Sequence, residues 1–174
     1  MKRGVIVFAA AVLLAACEPA GTGDPPKAET PDVVAAPEPV PAPVLPDGFA
    51  WSMTASGEGA AIILADSDAE TVLHIACLRH DPVFRVIAPE MAPGAAEFLA
   101  LGIGAAQIEF PRAAIDGVQG VVGDGPIEEA TLTLLERAPS LSFFYGRDTL
   151  GPYAPPAAED LAAFVADCRS MIAS

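Results

Sequence analysis

Proline partitions this chain before any element of structure is placed. Nine of the thirty residues 18–47 are proline, and Pro37-Glu38-Pro39-Val40-Pro41-Ala42-Pro43 alternates it with other residues. Proline has no backbone N–H and a fixed φ, so this stretch can make neither a helix nor a paired strand. It is expected to sample extended polyproline II at about 3.1 Å per residue, a semi-rigid spacer with a reach on the order of 90 Å. Residues 48–174 are left to fold, and about 127 residues is an ordinary length for one domain with its own core.

The segment ahead of the spacer has a different character. Lys2-Arg3, the apolar run from Val5 to Leu14, and Ala15-Ala16 before Cys17 form the three parts of a secretory signal. The run is about ten residues, against the roughly 20 that cross a bilayer as a helix, so residues 1–16 read as a signal peptide and not an anchor. Leu14-Ala15-Ala16-Cys17 resembles the lipobox of bacterial lipoproteins. The resemblance implies a diacylglycerol on the Cys17 thiol, cleavage after Ala16 and acylation of the new amino terminus. Several chains on one residue exceed the single-chain limit of reversible membrane binding, so attachment to the membrane should be stable. Glu18 follows Cys17 where an aspartate would favour inner-membrane retention. The expected address is therefore the bacterial cell envelope, at the outer membrane, facing the periplasm.

Charge narrows the partners. Without residues 1–16 the chain keeps 7 basic and 23 acidic side chains. Nucleic-acid binding through a basic patch is excluded on that balance, and a cationic periplasmic protein is the partner it favours. Residues 48–174 alone hold 17 acids and six arginines.

Short β-rich runs broken by Gly, Asp and Pro fill the first part of the domain. Strands are expected at Trp51–Ala55, Ala60–Ala65, Thr71–Arg79 and Val83–Ala88, with turns at Ser56-Gly57-Glu58-Gly59, Asp66-Ser67-Asp68-Ala69 and His80-Asp81-Pro82. Ala95–Ala100 reads as a short helix or an irregular strand. Gln107–Phe110 and Val118–Val122 are further strands, the second closed by a turn at Gly123-Asp124-Gly125. Pro126-Ile127-Glu128-Glu129 opens a helix to about Arg137, with proline and acids at its amino end, although Thr131 and Thr133 alternate with Leu132 and Leu134 as in a strand. Leu141–Tyr145 is a compact strand. Pro155-Pro156 precedes a helix from Ala157 to about Ile172, whose Leu161, Phe164, Val165, Cys168 and Ile172 make one apolar stripe. The fold class is α+β: an antiparallel sheet packed by one or two helices.

Cys77 and Cys168 are the domain's two cysteines, in an oxidising compartment. Cys77 shares a strand face with Leu73 and Ile75, and Cys168 lies on the apolar stripe of the last helix. A helix packed on that face brings the thiols together as a disulfide that ties the carboxy-terminal helix to the sheet. No metal site is expected. On a strand His74 and His80 lie roughly 20 Å apart with Cys77 on the opposite face, while zinc needs its ligands within about 2.3 Å of one point. Asp66, Asp68 and Glu70 have calcium-loop spacing, but Thr71 stands where the loop needs glycine and Cys77 where it needs a bidentate acid. Gly102-Ile103-Gly104 lacks the third glycine of a dinucleotide fingerprint, and no GxSxG, HExxH or phosphate loop occurs. No catalytic residue and no cofactor are assigned. Tyr145-Gly146-Arg147-Asp148 and Tyr153 concentrate aromatic and arginine chemistry between the last strand and the last helix, which makes Tyr145, Arg147, Asp148 and Tyr153 the candidate binding surface.

The domain loosely resembles the invasion-associated-protein-B-like periplasmic family. The likeness rests on Trp51 in an early strand, Leu73-His74-Ile75-Ala76-Cys77, and Phe164-Val165-Ala166-Asp167-Cys168 in a final helix. It implies a fold and carries over no functional residue. The function expected is a non-enzymatic envelope lipoprotein, a tethered protein-interaction or structural module. Two alternatives stand beside it: an acidic inhibitor of a cationic cell-wall enzyme, and a small-ligand binder or hydrolase with its site between sheet and helices.

Overall fold

The computed structural model describes residues 42–114 and 120–173. The expected signal peptide, Cys17 and the expected spacer up to residue 41 lie outside the described residues. Leu45 and Phe49, just before the first strand, already pack against the core.

Alternating apolar residues produce a meander of four strands: β1 (Ala50–Ser56), β2 (Gly59–Ala65), β3 (Thr71–Leu78) and β4 (Val83–Ala88). The β2–β3 turn is closed by Asp66, whose Oδ1 accepts the N–H groups of Asp68 and Glu70 at 2.9 Å each. Ala69 takes the left-handed conformation there, with φ of 63°. A second group follows: β5 (Phe98–Ile103), β6 (Ala106–Ala113), β7 (Val121–Pro126), α1 (Glu129–Glu136), β8 (Leu141–Tyr145), β9 (Asp148–Tyr153) and α2 (Ala158–Ile172). All pairings are antiparallel, and the nine strands form one sheet in the order β1-β2-β3-β4-β7-β6-β5-β8-β9.

β6 joins the two groups by changing partner. Residues 106–111 pair with β5, and Arg112 and Ala113 pair with β7. A strand that switches partner in this way turns a sheet back on itself. The inner faces of the two halves meet at Phe84 of β4 and Phe110 of β6, whose rings stack with centroids 5.4 Å apart. Gly123 and Gly125 of β7 make room for that pair. A Cβ on Gly123 would lie 2.8 Å from the Phe110 Cβ, and one on Gly125 2.8 Å from its Cδ1. At the outer ends of the sheet the Phe49 ring stacks on Tyr153 at 6.1 Å, and the Trp51 Nε1 donates to the Ala154 carbonyl at 2.8 Å. The sheet is thus curled toward closure.

The helices cover the inner face. Leu161, Phe164, Val165, Cys168 and Met171 of α2 are buried against it, together with Leu132 and Leu135 of α1. The Cys77–Cys168 disulfide joins β3 to α2 with Cα atoms 5.5 Å apart. Arg169 reaches from α2 to Glu129 and Glu136 of α1 at 2.8 and 3.1 Å, largely in solvent. That exposure makes each pair a weak contributor to stability.

Several local expectations give way to tertiary packing. Of the two readings left open for Ala95–Ala100, the strand holds over residues 98–103, since Leu99, Leu101 and Ile103 alternate into the core. Gly123-Asp124-Gly125 belongs to β7 and pairs with Val86, Arg85 and Phe84; the glycines serve the Phe110 ring and not a turn. Residue 118 lies outside the described residues. Pro126 ends β7 opposite Val83, so α1 begins three residues later at Glu129. Ile172 is 46% exposed, and Met171 takes its place on the stripe of α2. Residues 148–153, expected as part of a loop, are strand β9.

Candidate functional site

The four residues singled out from sequence separate in space. Tyr145 ends β8 and Asp148 starts β9, with Gly146 and Arg147 forming a two-residue hairpin turn between them. Gly146 has a φ of 61°, which suits glycine at the first position of such a turn. A Gly-X pair between two apolar runs was the available signal for this hairpin. Tyr145 is buried, and its hydroxyl is fully engaged. It accepts from the Gly94 N–H at 3.0 Å and faces the carbonyls of Gly94 and Ala96, both at 2.9 Å. Arg112 Nη1 also donates to the Gly94 carbonyl, at 3.0 Å. Tyr145 therefore pins the segment before β5. Tyr153 is buried beside Phe49, and loss of hydration, with Glu90 second, raises its phenol pKa. Only Arg147 and Asp148 of the four present side chains to solvent.

Cys77 and Cys168 are brought together, fully buried, as the bridge already described. His74 and His80 are kept apart in role. His74 lies in β3 on the face turned away from the helices, opposite Ile63 of β2 and Ile87 of β4. His80 is exposed in the β3–β4 turn. Burial, and then the nearby Arg85 charge, lowers the His74 pKa. Its Nε2 is shielded from solvent and, among the described residues, has no hydrogen-bond partner. Arg85 is held by Asp124 on the neighbouring strand through two bonds of 2.8 and 2.7 Å, which raises the guanidinium pKa further. Among the described residues, no group of three or more His, Cys, Asp and Glu side chains is placed to hold a metal ion.

The same outer face carries a concavity that sequence reading did not anticipate. Ala61 of β2 stands opposite Ala76 of β3, and Thr54 of β1 stands opposite Ala61. Three small side chains in a row lower the surface. The resulting depression has a volume of about 210 Å³ and is walled by Ser56, Glu58, Ile63, His74 and Leu78. No helix residue lines it, so it lies away from the sheet–helix interface where a ligand site was expected. The cross-strand register creates this feature, and register is what a single run of sequence does not state.

By its architecture the molecule is an α+β protein with an antiparallel sheet, two helices and a disulfide that ties the carboxy-terminal helix to the sheet. No protein-family model, curated protein or solved structure is significantly similar to this chain.

Proposed function

We propose that this chain is a lipid-anchored protein of the bacterial envelope whose folded part is a non-enzymatic interaction module held out by a spacer. The observation that carries this reading is Leu14-Ala15-Ala16-Cys17 followed by the proline-rich residues 18–47. An acylated Cys17 fixes one end of the chain to the outer membrane, and the spacer lets the domain search the periplasm. The disulfide supports the reading, since such bonds persist in oxidising compartments. The acid excess selects cationic proteins as partners, and a cationic cell-wall enzyme is one that fits.

The test is metabolic labelling with an alkynyl fatty acid and membrane fractionation of the wild type and Cys17→Ser, each with photocrosslinkers on the exposed sheet face. Label on the wild type, its loss with release from the membrane in Cys17→Ser, and a crosslinked envelope protein are the expected results. Unchanged membrane association of unlabelled Cys17→Ser would refute the anchor. A second reading, a small-ligand site, is favoured by one observation: His74 and Glu58 both line the depression. Ligand-induced NMR shifts confined to those residues would select it.

A further inference from the structure

The sheet ends in two edges, and only one of them is guarded. β9 carries Pro152, which has no N–H to offer a partner, beside Gly151, and its ladder with β8 shifts register between Leu141 and Phe143. β1 has none of these features. Its seven residues, Ala-Trp-Ser-Met-Thr-Ala-Ser, contain no charge and no proline. They pair with β2 in unbroken register from Ala50 opposite Ala65 to Ser56 opposite Gly59. Ser52, Thr54, Ala55 and Ser56 are exposed. Among the described residues no backbone hydrogen bond joins β1 to a segment other than β2. Edge strands normally carry lysine, proline or a bulge, because an open row of N–H and C=O groups is a template for another strand.

We propose that residues 52–56 of β1 take up an extended, lysine- or arginine-bearing segment of another protein as one further strand, with a basic side chain of that segment over the adjoining depression. The inference rests on the interaction-module reading and names its surface and its partner chemistry.

Charge identifies the occupant. Residues 48–79 hold four acids, Glu58, Asp66, Asp68 and Glu70, against one basic side chain, Arg79, whose backbone N–H donates to the Glu58 carbonyl. Glu58 lies in the β1–β2 turn and lines the depression. Strands in a sheet stand about 4.8 Å apart, so a long basic side chain on the added strand reaches over Thr54 toward Ala61, beside that carboxylate. The spacer of this same chain does not fit, because residues 18–47 hold six acids and one lysine, and Pro37 to Pro43 alternates proline, which has no N–H to donate. A second copy is disfavoured, because pairing β1 with β1 would bring two sets of four acids together. In strand addition the main chain supplies affinity and recesses for alternate side chains supply specificity, and β1 with the depression offers both.

The experiment titrates the full-length chain in detergent micelles with a fluorescent peptide alternating lysine and valine. Two matched peptides carry N-methyl groups along one edge or the other, which removes donors and leaves charge unchanged. The parent peptide is expected to bind at low salt and to release as salt rises. N-methylation along the pairing edge should weaken binding roughly tenfold, and Thr54→Arg, at an exposed position, should do the same. Amide exchange in residues 52–56 should slow on binding. Equal binding of all three peptides, no binding at low salt, or self-association through β1 would each overturn the proposal. A membrane-attached chain that crosslinks its partner through another face would remove the edge while leaving the interaction-module reading intact.

Discussion

Removal of the Cys77–Cys168 bridge is the perturbation whose size follows most directly from the structure. The two residues are 91 apart in sequence. In the chain-entropy treatment a loop of that length restricts the unfolded chain by about 15 cal/mol/K, or about 4.6 kcal/mol at 25 °C. Domains of this size are stable by about 5–15 kcal/mol in total, so the bridge is a large share of the margin. It is not the whole attachment of α2. Leu161, Phe164, Val165 and Met171 are each at most 5% exposed, and burial of such side chains contributes about 1.5–3 kcal/mol apiece. Cys77→Ala with Cys168→Ala should therefore still fold, with the helix docked and the margin reduced by about 4 kcal/mol. Urea unfolding followed by Trp51 fluorescence measures this. Trp51 is the single tryptophan, and its Nε1 bond to Ala154 reports on the chain that leads into α2. The midpoint should fall and the m-value should rise, because an unbridged unfolded chain exposes more surface. Wild type under reductant should match the double variant. A loss under about 1 kcal/mol with unchanged m would refute the assignment of the effect to the unfolded chain.

Two further outcomes follow from single side chains. Tyr145→Phe deletes the hydroxyl shared by Gly94 and Ala96, which should cost about 1–3 kcal/mol. Faster amide exchange at Gly94 checks it, and unchanged exchange would mean that another contact holds the segment. In the folded chain burial first and the Arg85 charge second hold the His74 pKa below the ordinary histidine value of about 6.5. Asp124, bonded to Arg85, and Asp81 are the acids that act on that guanidinium. As pH falls below 6.5 the unfolded chain takes up the proton first, so stability is full above that pH and declines beneath it. Melts at pH 7 and at about pH 5 should show a loss for the wild type that His74→Leu lacks; equal losses would place the titration elsewhere.

Sequence legibility followed local periodicity. Leu73, Ile75 and Cys77 alternate on β3, and the 3.6-residue stripe of α2 brings Cys168 to the same face, so the disulfide was readable without coordinates. What failed was decided by distant residues. Gly123-Asp124-Gly125 has turn composition, and only the Phe110 ring, delivered by a strand that changes partner, explains glycine inside a strand there. β9 was hidden for the opposite reason, since Gly151 and Pro152 are poor strand residues tolerated at a sheet edge. The tyrosines of the candidate surface look like contact residues by type, and their burial depends on Gly94 and Phe49, about fifty and a hundred residues away in sequence.

The open edge was invisible for a further reason, because no property of Ala50–Ser56 states that no further strand pairs beyond it. That condition comes from the strand order, which places β1 at one end of the sheet. An unguarded edge ordinarily leads a protein to pair with itself. Here the residues around it carry four acids against the single arginine Arg79, so two copies repel along the edge that would join them. The same charges attract a basic strand, so one feature both suppresses self-pairing and selects the partner. Lysine on β1 would have protected the edge equally well, but it would also have repelled a cationic segment. Acids placed in the flanking turns, away from the strand itself, leave the row of backbone donors and acceptors free.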